Sequence, residues 1–210
     1  MPGLIFNGQP LPVNAVTVVN YVDDPTWTLP IPKCGTCRRR GIVCVVLHTT
    51  GGYPDHDHPT PQRVRDEAAG SQHCHARAVL ENWRRSSRVS GAHVLVDADG
   101  TCYCLADLVE IAAYHCVGWN QVSIGIEVVQ QRNSSLFAAQ LLAVGRVVDA
   151  IVTKLSLPRR VAVGYEGQPR GSIDGIGVVG HRDLSGNRGD GDPGDFIMRA
   201  ARGVGEWVVV

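Results

Sequence analysis

Ile42-Val43-Cys44-Val45-Val46-Leu47-His48-Thr49-Thr50-Gly51-Gly52 is an apolar, mostly β-branched run that ends on a histidine and then on glycine. Gly41 precedes it. A short apolar run punctuated at both ends reads as a buried strand, so residues 42–47 are expected to deliver His48 at the C-terminal end of a strand. Ile176-Gly177-Val178-Val179-Gly180 repeats the arrangement and delivers His181, and Asp192 comes later in Asp192-Pro193-Gly194-Asp195. Two imidazoles and one carboxylate are a donor set that Zn²⁺ accepts. Three protein ligands leave a fourth tetrahedral position for water, the arrangement of a hydrolytic rather than a structural site.

The chain has 210 residues, enough for one well-buried domain with extensions and too few for two full-sized ones. Twenty Lys and Arg balance twenty Asp and Glu, so no global field points to nucleic acid or to an anionic membrane. No apolar run approaches the ~18 residues of a membrane span. Met1-Pro2-Gly3 carries no basic region, and Gly8, Pro10 and Pro12 interrupt the next segment, so no secretory signal peptide is expected. The seven cysteines, at 34, 37, 44, 74, 102, 104 and 116, then read as reduced thiols. Cys44 is expected in the core, and Cys102 and Cys104 on one buried face of a strand. Cys34-Gly35-Thr36-Cys37 has metal or redox spacing but no second such pair, and reads as a turn. Asp55-His56-Asp57-His58 and His73-Cys74-His75 read as solvated polar residues.

Residues 1–40 are punctuated by proline and read as an N-terminal arm, with short strands around Ala15–Val22. A helix, interrupted at Gly70-Ser71, is expected within residues 62–85. Residues 91–97 and 101–105 flank Asp97-Ala98-Asp99-Gly100, a hairpin signal, and residues 122–129 form a further strand. The clearest helix starts near Asn133-Ser134-Ser135 and carries Leu136, Phe137, Gln140, Leu141, Val144, Val147, Val148, Ile151 and Leu155 on one stripe, up to Pro158. The Gly-, Pro- and Arg-rich residues 159–174 read as a loop, and residues 196–200 as a short helix.

Six segments in order carry a resemblance: the strand with His48-Thr49-Thr50, Ser90-Gly91-Ala92-His93 before the hairpin, Ala113-Tyr114-His115, Asn120-Gln121-Val122-Ser123-Ile124-Gly125-Ile126-Glu127, Gly180-His181-Arg182-Asp183, and Asp192-Pro193-Gly194. From about Ile42 to Ala201 the chain resembles the zinc-dependent N-acetylmuramoyl-L-alanine amidases of the type-2 group, which share a fold with phage lysozyme-type amidases and peptidoglycan recognition proteins. The resemblance implies an α/β fold: a single domain over residues 41–210 with a mixed central sheet flanked by helices, preceded by the arm. It implies His48, His181 and Asp192 as zinc ligands and Glu127 as the general base that takes a proton from water and passes it to the leaving amine. His115 would line the cleft and hydrogen-bond substrate or the developing oxyanion; its competing role is a third zinc histidine, with Asp192 displaced. Asn120 would lie near the substrate groove, as would His93, whose competing reading is a satisfied core histidine. Many relatives place a lysine two residues before the ligand aspartate, where this chain has Asp190; Arg188 is the nearest cation that could stabilise the oxyanion. The implied partner is peptidoglycan or a soluble muropeptide, met by a monomer, either as a lysin released from the cell or on cytoplasmic wall fragments. A binding-only module of the same fold and a zinc hydrolase of another amide are the alternatives.

Overall fold

The computed structural model describes residues 3–22, 24, 35–37, 40–50, 74–86, 90–129, 137–162, 172–185, 192–202 and 206–210, with backbone alone for 35–37, 74 and 75. Its strands are β1 (Leu4–Phe6), β2 (Gln9–Leu11), β3 (Val18–Asn20), β4 (Gly35–Cys37), β5 (Cys44–Thr49), β6 (Val94–Val96), β7 (Cys102–Cys104), β8 (Ile111–Ala113), β9 (Ser123–Val128), β10 (Arg160–Val161), β11 (Val178–Gly180) and β12 (Val208–Val209). Helices α1 (Cys74–Arg85), α2 (Ala138–Leu155), α3 (His181–Leu184) and α4 (Asp195–Ala200) accompany them. Eight strands form one sheet in the order β12-β10-β11-β5-β9-β6-β7-β3. All neighbours run parallel except the β6–β7 hairpin. This is the mixed α/β architecture expected.

The two faces of the central strands do different work. Val45 and Leu47 on β5, with Ile124, Ile126 and Val128 on β9, join the main core with α2, whose Val144, Val147, Val148 and Ile151 are fully buried. Because side chains alternate along a strand, His48 and Glu127 point to the opposite face. Cys102 and Cys104 share the main core, as their spacing predicts, while Tyr103 between them packs with Leu95 and with Ala76 and Leu80 of α1 on the other side. The N-terminal residues belong to this packing: Leu4 and Val18 are buried in the main core, and β3 pairs with β7 as the last strand of the sheet.

Several elements differ from expectation, each for a local reason. β5 runs two residues later than expected, and Val43 is about half exposed. Helix α2 starts at Ala138 because Gln140 reaches back: its carboxamide oxygen accepts the Phe137 N–H and its nitrogen donates to the Val129 carbonyl. The first of these bonds satisfies one of the amides a helix N-terminus leaves open; Asn133-Ser134-Ser135 lie outside the described residues. Gly35–Cys37, read as a turn, is a strand antiparallel to β8 and satisfies backbone groups there. The stretch read as a loop from residue 159 opens with β10, which joins β11 to the C-terminal β12. Gly70-Ser71, Asp55–His58, His73 and Cys34 also lie outside the described residues. Among those described, no helix is long and apolar enough to cross a membrane.

Candidate active site

Parallel strands place their C-terminal ends along one edge, where open α/β sheets bind ligands. His48 is the penultimate residue of β5 and Glu127 the penultimate residue of β9, and the two are register partners. The strand pairing therefore sets the histidine and the carboxylate side by side on the face away from α2. Gly180 ends β11 opposite Leu47, so His181, the first residue of α3, falls beside His48; the two rings meet edge-on at 4.7 Å. Asp192 arrives from the far end of the chain. A Cβ on Gly180 would lie 2.8 Å from Pro193 Cδ, so only glycine lets the Asp192-Pro193 segment settle on the strand end.

The aspartate is aimed by its neighbours. Its Oδ1 accepts the Thr49 N–H at 3.1 Å, and its carbonyl accepts the Arg182 N–H at 2.6 Å. The Arg182 guanidinium, itself buried, donates to Asp195 Oδ1 at the start of α4, and Asp183 Oδ2 accepts the Gly180 N–H. The sequence marks Gly180-His181-Arg182-Asp183 as a unit, and the structure shows that its last two residues hold the frame around His181 and Asp192. So held, Asp192 presents Oδ2 3.1 Å from His181 Nδ1 and Oδ1 3.7 Å from His48 Nδ1. One donor atom from each of His48, His181 and Asp192 lies within 4.8 Å of the others.

Zn²⁺ with ligands at 2.0–2.2 Å holds tetrahedral donors roughly 3.3–3.6 Å apart, a range bracketed by the 3.1 and 3.7 Å between Asp192 and the two histidines. His181 Nδ1 provides a more specific test: it is buried, and although near Asp192 it makes no hydrogen bond. A nitrogen buried without a hydrogen bond carries a cost that a metal ion removes. The donor set therefore fits zinc. Cys44, two alternations before His48 on the same strand face, is fully buried and lies outside this cluster; burial and then the neighbouring Cys116 push its pKa up to about 12.

A cleft of about 610 Å³ opens over these residues. His48, His181, Asp192, Glu127, His115 and Asn120 all line it, with Trp83 of α1 and Tyr114 on its walls. His115 Nδ1 lies 2.9 Å from His48 Nε2, and its Nε2 lies 3.2 Å from Ser123 Oγ, so both ring nitrogens are engaged within the protein. Asn120 Oδ1 accepts the N–H groups of His115 and Cys116, which shapes the loop that carries His115. His93 is fully buried and is not among the cleft's lining residues. Its Nδ1 accepts the Gly125 N–H at 3.0 Å and its Nε2 donates to the Ile111 carbonyl at 2.9 Å, which stitches β9 to β8. Arg188 and Asp190 lie outside the described residues. Ser123, Arg182 and Asp183 were not singled out from sequence; the alternation Ser123, Gly125, Glu127 along β9 was the signal that could have found the first.

A mixed sheet thus gathers two histidines, an aspartate and a glutamate at the C-terminal ends of its parallel strands. The chain belongs to the N-acetylmuramoyl-L-alanine amidase family, whose model matches residues 38–195. A search of curated protein sequences returned no significant match. Among solved structures, the Ph2119 endolysin from Thermus scotoductus MAT2119 bacteriophage Ph2119 is similar over 88% of this chain and 98% of its own, at 17% identity and a TM-score of 0.51. A selenomethionine derivative of AmpD is similar over 94% and 98%, at 19% identity and a TM-score of 0.54. The complex of tracheal cytotoxin with the peptidoglycan recognition proteins LCa and LCx is similar over 91% and 98%, at 18% identity and a TM-score of 0.54. At these identities the likeness is one of fold.

Proposed function

We propose that this chain is a zinc-dependent N-acetylmuramoyl-L-alanine amidase, which hydrolyses the amide joining N-acetylmuramic acid to the L-alanine of the stem peptide in peptidoglycan or its soluble fragments. The observation that carries the reading is the meeting of a three-residue metal cluster with Glu127, one strand away and in register with His48, inside one cleft. His48, His181 and Asp192 would hold the ion, which supplies Lewis acidity toward the amide carbonyl and acidifies water. Glu127 takes a proton from the attacking water as its oxygen bonds to the carbonyl carbon. The same carboxyl then returns that proton to the amide nitrogen as the carbon–nitrogen bond breaks, so the sugar acid and the free amine leave in balance. Trp83 and Tyr114 offer flat apolar surface to a sugar or stem-peptide residue. Arg188 is proposed, from its place two residues before Asp190, as a cation toward the developing oxyanion.

The experiment is digestion of purified sacculi and, in parallel, of soluble anhydro-muropeptide, with mass spectrometry of the products and zinc measured on the same preparation. Release of stem peptides with a free L-alanine amine, lost on chelation and restored by zinc, is the expected result. Retention of the protein on sacculi without cleavage would make it a recognition module.

A further inference from the structure

We infer that His115 and Ser123 are positioning residues that set the tautomer of His48, so that its ligating nitrogen faces the metal site before any ion arrives. The inference rests on the reading of His48 as a ligand. The direction of every proton in the relay is set by its far end, which is a backbone carbonyl and can only accept. Ser123 Oγ donates to the Trp119 carbonyl at 2.7 Å. Its one proton is thereby committed, so toward His115 Nε2, 3.2 Å away, the hydroxyl oxygen acts as acceptor and His115 carries its proton on Nε2. A neutral ring protonated there keeps a lone pair on Nδ1, and that nitrogen lies 2.9 Å from His48 Nε2. His48 must then donate from Nε2, which puts its own lone pair on Nδ1, the nitrogen turned toward Asp192.

This assigns His115 a part different from donor to substrate or third ligand, since one nitrogen faces His48 and the other faces Ser123. Hydrogen bonds that fix the tautomer of a ligating histidine are worth about 10–100-fold in metal affinity. Gly125 makes room for the relay: a Cβ there would lie 2.4 Å from His115 Cγ.

The test is nitrogen-15 NMR of the histidine rings in the full chain stripped of metal, at a pH of about 8 where imidazoles are neutral, joined to zinc titration against a competing chelator. His48 should be protonated on Nε2 in the parent. Ser123→Ala and His115→Leu should shift His48 toward a mixture of tautomers and weaken zinc binding about 10–100-fold. His115→Asn, whose side-chain oxygen can accept from His48, should restore both. His93, held by Gly125 and Ile111, is the internal control for folding, and Ser123→Ala keeps the test decisive if His115→Leu does not fold. A parent His48 protonated on Nδ1, or variants that leave both tautomer and zinc affinity unchanged, would overturn the inference. A parent that binds no zinc would instead defeat the zinc reading, while the tautomer of His48 in the metal-free chain still decides the relay.

Discussion

Replacing Gly125 by alanine places one methyl group under the His115 ring. The new Cβ would sit 2.4 Å from Cγ, 2.7 Å from Nδ1 and 2.8 Å from Cδ2 of that ring, where non-bonded contacts normally settle near 3.5–4.0 Å. Something must move by roughly 1 Å. The strand cannot, because β9 is paired on both sides and His93 grips Gly125 twice, accepting its N–H on Nδ1 and donating its own N–H to the Gly125 carbonyl, each at 3.0 Å. The ring therefore retreats, and the 2.9 Å contact with His48 and the 3.2 Å contact with Ser123 stretch past hydrogen-bonding range. Overpacking costs about 1–3 kcal/mol, and two neutral hydrogen bonds add about 0.5–1.5 kcal/mol each. The sum is roughly 2–6 kcal/mol, and at about 2–4 °C per kcal/mol for a chain of this length Tm should fall by at least about 4 °C. Circular dichroism melts of Gly125→Ala beside Gly41→Ala measure this, since a Cβ at Gly41 meets nothing within 4 Å. If the two variants melt within about 1 °C of each other, a span worth under 1 kcal/mol here, His115 is not wedged on the strand and the account of this glycine is wrong.

Glu127→Gln keeps the shape of the side chain and removes its basicity; turnover should fall about 10²–10⁴-fold with zinc content unchanged, and equal rates for variant and parent would make Glu127 structural. Asp192→Asn retains an oxygen for the Thr49 N–H but gives up the charge, so zinc should be lost on dialysis against chelator while the fold persists; full zinc in the variant would remove Asp192 from the ligand set. The Cys44 thiol is raised from 9.0 to about 12 in the folded chain, so above pH 9 the unfolded chain releases a proton that the folded one keeps. Stability should fall through that window by up to about 1.4 kcal/mol per pH unit, and less steeply in Cys44→Ala; identical slopes in urea titrations of the two proteins would show that the thiol does not contribute.

The two histidines that meet at the cleft were readable because strand ends mark themselves: a β-branched run that stops on histidine needs no partner to be recognised, and it occurs at both His48 and His181. Glu127 came with the family resemblance, and what the structure adds is its register with His48. The surroundings of these residues were less readable. Ser123, Arg182 and Asp183 act through pairings with Trp119, His115, Asp192, Asp195 and Gly180, and no local pattern announces a bond between distant residues. His93 was left between the substrate groove and the core, and its two ring bonds hold it in the core. The short strands β4, β10 and β12 escaped notice because strands of two or three residues carry too little periodicity to stand out, and their definition comes from the open backbone of a neighbour.

The central strand β5 also dictates the order in which this molecule can be made. It emerges early from synthesis, yet one flank waits for β9 and the other for β11, and the Thr49–Asp192 bond spans 143 residues. Until the last third of the chain appears, an apolar strand has an unsatisfied edge, the condition under which nascent chains pair wrongly or recruit a chaperone. Contacts this distant in sequence slow folding. The cluster of His48, His181 and Asp192 is thus a mark of completed topology, since no fragment ending before residue 192 contains all three residues.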